Sequence, residues 1–170
     1  MQLLLPTRLL KRLKRRLKKA GRREIGGILM GEHVEGENFR LLDFTAQMSG
    51  GTQVCFIRRP EEHRAELAEF FAKTGKDFAR YNYLGEWHSH PSFAPVPSPT
   101  DSETMQEIAG DPAVGANFVV LLVVRLEGKN NLALSASLYR KDFAPVDMPV
   151  TVEAETPKGF RTWFSALHRR

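Results

Sequence analysis

Five histidines occur in the chain, and only His88 and His90 lie close together. Two residues apart on an extended segment, their side chains leave the same face of a strand. Such a pair can give two imidazole nitrogens to one ion. Eleven residues after His90 comes Asp101, at a predicted helix start. Two histidines and one carboxylate make a catalytic zinc set, in which three protein ligands leave a fourth position open for water. The single Cys55 excludes a closed, thiolate-rich structural site. Hydrolysis at such a centre needs a base that takes the proton of water and hands it to a leaving amine. Glu24, where the first central strand is predicted to begin, is a candidate, with Glu32 and Glu86 next in line. Ser98, three residues before Asp101, can offer a hydroxyl to an oxyanion. It can also cap the helix that follows, with Pro99 in the first position, and the two roles are compatible.

The elements that must position these residues are legible in outline. Met1 to Pro6 reads as a short strand. Thr7 then caps a helix in which Leu10, Leu13, Leu17 and Ala20 recur at helical spacing, and Gly21 ends it. Ile25–Gly31 reads as a strand whose paired Gly26 and Gly27 mark a close backbone approach. Asn38–Ala46 and Gln53–Arg58 follow as strands. Pro60 opens a helix with Leu67, Phe70, Phe71, Thr74 and Phe78 on its buried side. Leu84–His88 is the strand that carries the histidine pair, and Trp87 packs on its opposite face. A proline-rich loop leads to the helix from Ser98 to about Ala109. Phe118–Leu126 is nearly all apolar, so it reads as a central strand, and Leu132–Tyr139 closes the sheet. Residues 142–158 carry three prolines and read as irregular. Phe160, Trp163, Phe164 and Leu167 predict a final amphipathic helix that packs on the chain or docks a partner. Cys55 reads as a small core residue, and His33, His63 and His168 as surface residues.

Composition bounds the rest. A chain of 170 residues, 42% hydrophobic and 26% charged, suits one ordinary globular domain. Its longest uninterrupted apolar run, Phe118–Val124, is far short of the roughly 20 residues a membrane span needs. One cysteine implies no disulfide framework, and a reducing cytoplasm fits best. The net charge of +5 hides an asymmetry: residues 1–23 hold ten Lys/Arg and no acid, whereas the remainder is net negative. This arm fails as a signal peptide because Arg8 and Lys11 interrupt the leucines. Its basic face meets water or an acidic partner. Nucleic acid is disfavoured, because no stacking aromatics are interleaved with the cations.

Together, these residues carry a resemblance. His88-Ser89-His90, then seven residues, Ser98, two residues and Asp101 resemble the His-x-His-x7-Ser-x2-Asp signature of the JAMM (JAB or MPN-plus) metalloproteases, with Gly85 and Pro91 in the usual context. Glu24 to Gly31 is similar to that family's first strand with its glutamate. The resemblance covers about residues 1–140. It implies an α/β, cytidine-deaminase-like MPN/JAB fold, a mixed central sheet flanked by helices. Residues 1–141 would form the domain and 142–170 an extension with the amphipathic helix. It also implies one Zn²⁺ held by His88, His90 and Asp101, with Glu24 as general acid/base and Ser98 as oxyanion helper. The implied activity is cleavage after the C-terminal Gly-Gly of a ubiquitin-like protein, by deconjugation or precursor processing. Small bacterial members work beside activating and conjugating enzymes of the same operon, some in antiviral defence. Two other readings compete: a catalytically inactive scaffold of the same fold, and a DNA-repair-associated module that binds nucleic acid through the arm.

Overall fold

A computed structural model describes residues 1–52, 57–128 and 130–154. The chain opens with β1 (Gln2–Pro6) and α1 (Thr7–Ala20), followed by β2 (Gly26–Glu35) and β3 (Asn38–Phe44). A short 3-10 turn (Pro60–His63) leads into α2 (Arg64–Lys73). Then come β4 (Tyr81–Ser89), α3 (Pro99–Gly110), β5 (Val119–Glu127), β6 (Asn131–Tyr139), β7 (Val146–Asp147) and β8 (Val150–Glu153). These strands form one mixed sheet in the order β7-β6-β5-β4-β2-β3-β1-β8. Among the described residues, no helix is long and apolar enough to cross a membrane.

Both faces of the sheet are covered, which explains the continuous apolar run of β5. Val120, Leu122 and Val124 pack with Leu9, Leu13 and Leu17 of α1. Val119, Leu121 and Val123 pack with Met105 and Ile108 of α3. Ile28 and Met30 of β2 meet Phe70 of α2 on that second face. Each fully buried leucine of α1 contributes about 1.5–3 kcal/mol, so the leucine stripe anchors the basic helix firmly.

The face of α1 turned from the core is only partly free. Arg8 donates to the Leu42 carbonyl at 2.7 Å, and Arg12 pairs with Asp43 while lying over the Phe44 ring. The stripe also begins one residue earlier than predicted, since Leu9 is buried and Leu10 only half-buried. Thr7 does not cap the helix. Pro6 holds that position, and the Thr7 hydroxyl donates to the Glu153 carbonyl at 2.7 Å.

Four further expectations need correction. Residues 142–158 are not irregular throughout: β7 pairs with β6, and β8 runs parallel to β1, so this segment reaches both edges of the sheet. The sheet therefore does not close at β6. Phe78 is 53% exposed, because α2 ends at Lys73 and left-handed Gly75 and Lys76 turn the chain away. His63 is buried, with its Nδ1 2.8 Å from Thr45 Oγ1. Residues 53–56, including Cys55, and the helix predicted at 160–167, with His168, lie outside the described residues; Ile57 and Arg58 belong to no strand.

Two glycines set the geometry of the strand that bears the histidines. A Cβ on Gly27 would lie 2.5 Å from the Thr45 carbonyl oxygen, the close approach its sequence position predicted. Gly85 has φ +136°, and a Cβ there would lie 2.0 Å from the Val120 oxygen. It sits at a bulge where Leu29 faces Gly85 but Met30 faces Tyr83. The bulge shifts the alternation by one, so Leu84 and Trp87 share the α1 face. Glu86 and His88 are thereby turned to the other.

Candidate metal centre

The centre forms at the C-terminal end of β4. Gly26 of β2 lies opposite His88. The pairing continues beyond the strand, since Ser89 N donates to the Ile25 carbonyl at 2.8 Å and Ile25 N donates to Ser89 Oγ at 3.0 Å. Extending this register brings Glu24 opposite His90, on the face that His88 and His90 share. On the other side of β4, His90 N donates to the Val124 carbonyl at 2.9 Å. Trp87 points away into the core, where its indole N–H donates to the Thr45 carbonyl at 2.8 Å.

The loop after His90 is pinned from several sides. His90 Nδ1 donates to the Ala94 carbonyl at 3.1 Å, which leaves its Nε2 as a lone pair. Arg125 of β5 donates to the Phe93 carbonyl, and Ser135 of β6 to that of Pro95. The loop then enters α3 through a capping box. Asp101 N donates to Ser98 Oγ at 3.1 Å, and Ser98 N donates to Asp101 Oδ2 at 2.7 Å. Ser98 is thus the cap that its sequence position predicted. Its hydroxyl oxygen accepts in that role, and the same hydroxyl also hydrogen-bonds the Asp101 carboxylate.

That exchange aims Asp101 at the histidines. His88 Nε2 and His90 Nε2 lie 3.0 Å apart, and Asp101 Oδ2 lies 3.4 and 3.6 Å from them. A tetrahedral ion with bonds of about 2.0–2.1 Å has ligand-to-ligand edges of about 3.3–3.4 Å. The three atoms therefore fit one small cation, and their chemistry, two imidazoles and a carboxylate, suits zinc. Burial pushes His90 toward its neutral form, as ligation requires. Burial alone would raise Asp101, but hydrogen bonding and charge from His88, with the hydrogen bonds of Ser98, hold it well below the ordinary carboxylate range.

Glu24 is buried beside this set. Burial raises its pKa, His88 opposes that rise and Asp101 adds to it. Such a carboxylate suits proton transfer better than an exposed one. The other two candidate bases are differently placed. Glu32 lies near the far end of β2, paired with Arg40 at 2.7 Å and Arg80 at 3.1 Å. Glu86 shares the histidine face but is paired with Arg58. Sequence reasoning missed Arg58 altogether. Its only sequence signal is its place as the last residue of the strand predicted at 53–58, two residues before Pro60.

The fold and this site define a JAB-type domain. Residues 6–137 match the family described as prokaryotic homologs of the JAB domain, and the chain belongs to that family. It is 36% identical over 80 residues to the CD-NTase/cGAS isopeptidase of Vibrio cholerae serotype O1, covering 46% of this chain and 49% of that protein. It is 29% identical over 133 residues to the protein of the same name from Enterobacter hormaechei subsp. hoffmannii, covering 75% of this chain and 69% of that protein. The chain thus spans about half the length of the first relative. A solution structure of a Desulfitobacterium hafniense protein superposes with a TM-score of 0.68 over 93% of this chain and 97% of that one. At 17% identity it shows the shared MPN/JAB fold alone.

Proposed function

We propose that this chain is a zinc-dependent isopeptidase. It would hydrolyse the amide between the C-terminal glycine of a ubiquitin-like protein, or of a CD-NTase-linked conjugate, and an amine. The observation that carries this reading is the convergence of His88 Nε2, His90 Nε2 and Asp101 Oδ2 within 3.6 Å of one another, with buried Glu24 on the same face. An inactive scaffold has no need of such a set. Residues 1–141 form the proposed catalytic unit, and 142–170 an extension whose described strands, β7 and β8, are the two edge strands of the sheet.

His88, His90 and Asp101 would hold the zinc, which would supply Lewis acidity and lower the pKa of water at the site toward neutral. The residues of the chain do the rest. Glu24 takes the proton of the attacking water and returns it to the departing amine. Its environment, raised by burial and restrained by His88, favours both steps. The Ser98 hydroxyl, fixed by the capping box, donates to the oxygen that becomes negative as the carbonyl is attacked. Ala94 keeps the proton of His90 on Nδ1, and the Ser98 amide keeps Asp101 in register.

Glu24→Gln tests the assignment, because it keeps the shape and removes the base. The kcat for a branched peptide with Gly-Gly joined to a lysine ε-amine is expected to fall by at least about 10²–10⁴-fold, with zinc content and peptide binding retained. Cleavage at the wild-type rate would move the base elsewhere. Loss of zinc would make Glu24 a ligand or a structural residue.

A further inference from the structure

Beside the centre stands a polar cluster that the proposed chemistry does not use. Glu86 precedes His88 by two residues on the same face, and its carboxylate is nearly fully buried. Arg58 pairs with it through Nε, and Tyr83 Oη lies 3.5 Å from the same carboxylate oxygen. Arg58 comes from a segment outside any strand, yet both of its neighbours are clamped by one buried residue. Gln47 Nε2 donates to the Ile57 carbonyl at 2.8 Å, and Gln47 Oε1 accepts from Arg59 N at 3.1 Å. Gln47 is itself fixed to β2, its N–H donating to the Gly26 carbonyl at 2.7 Å, directly across from His88. The guanidinium is thus held from the backbone by Gln47 and from the side chain by Glu86, and its side chain stays 33% exposed.

We propose that Arg58 is a substrate-binding residue that donates to backbone carbonyls of the C-terminal tail whose last bond is cleaved. This rests on the isopeptidase reading and adds a residue to it. A guanidinium carries five N–H donors; Arg58 gives its Nε–H to Glu86 and makes a further hydrogen bond with Tyr83, which leaves other donors to offer. Glu86 balances the charge locally, so the outer donors suit neutral carbonyl dipoles rather than a carboxylate-bearing partner. A tail bound through its backbone beside His88 is recognised by its extended shape rather than by side chains. Arg58 positions the substrate and takes no part in proton transfer.

Arg58→Met alone would strand a buried carboxylate, so the informative comparison is Arg58→Met/Glu86→Gln against Glu86→Gln, which keeps the guanidinium. The probe is the branched Gly-Gly–lysine peptide, followed by turnover and, in a Glu24→Gln background, by fluorescence anisotropy. The double variant is expected to raise KM and Kd about 10–100-fold, the scale of losing a charged hydrogen bond, with kcat changed less than about threefold. Glu86→Gln alone stays within about fivefold of wild type. Equal KM and Kd in the two variants, with only Tm lowered in both, would make the pair purely structural and overturn the proposal. If wild type binds the peptide but does not cleave it when loaded with zinc, the activity reading fails while the anisotropy still decides the role of Arg58. If it does not bind the peptide, the proposal falls too.

Discussion

Ser98 caps α3 and is proposed to stabilise an oxyanion, and substitution can separate the two roles. Its oxygen accepts from Asp101 N at 3.1 Å, and in the proposed reaction its proton turns from the Asp101 carboxylate to the developing oxyanion. Ser98→Ala removes both. Loss of such a cap costs about 1 kcal/mol, which in a domain of this size lowers Tm by about 2–4 °C. Loss of an oxyanion donor lowers kcat by about 10²–10³-fold. Ser98→Thr keeps both groups and stays near wild type in both measures. Ser98→Asp keeps an acceptor at the cap but carries no proton to donate. Its Tm therefore recovers while its kcat remains at least as low as that of the alanine variant. Thermal unfolding and steady-state cleavage of the branched peptide, each at matched zinc content, supply the two readouts. If Ser98→Asp restored kcat together with Tm, Ser98 would act only by holding α3 and Asp101, and the oxyanion role would be wrong.

Two further outcomes follow from the structure. Burial lowers the pKa of His63, with neighbouring Glu66 opposing, so the unfolded chain binds more protons below the usual histidine value. Stability is then complete above about pH 6.5 and declines as pH falls from there toward the depressed folded value; urea midpoints at pH 7.5 and 5.5 should differ more in wild type than in His63→Gln, and equal differences would contradict the argument. Reversing Lys14, Arg15 and Lys18 to Glu should raise KM for a conjugate with an acidic surface at low salt, leave kcat nearly intact, and matter less as salt screens the arm. Tight binding of duplex DNA by wild type, lost in this variant, would assign the arm to nucleic acid instead.

What the sequence revealed was chiefly local. Strand alternation placed His88 and His90 on one face, and the Ser98-Pro99 sequence with an acid close behind foretold a helix cap, which the structure completes as a capping box. Distance in sequence hid the rest. Thr7 looked like a cap, but its hydroxyl is engaged by Glu153, 146 residues away. His63 looked like a surface residue until Thr45 and the sheet covered it. The Gln47 clamp and the Arg58–Glu86 pair join segments that show no common pattern. β7 and β8 are too short and too polar to register as strands, and only pairing with β6 and β1 defines them. The bulge at Gly85 was unreadable as well, because a glycine within a strand does not say which way alternation resumes.

The proposed isopeptidase activity rests on a zinc held by His88, His90 and Asp101. The most direct measurement is mass spectrometry of the Gly-Gly–lysine branched peptide after incubation with zinc-loaded protein, with chelator-treated protein and with His88→Ala. A free lysine side chain and a Gly-Gly carboxylate are expected from the zinc-loaded protein alone. An intact peptide in the presence of stoichiometric zinc, or cleavage that survives both chelation and His88→Ala, would contradict it.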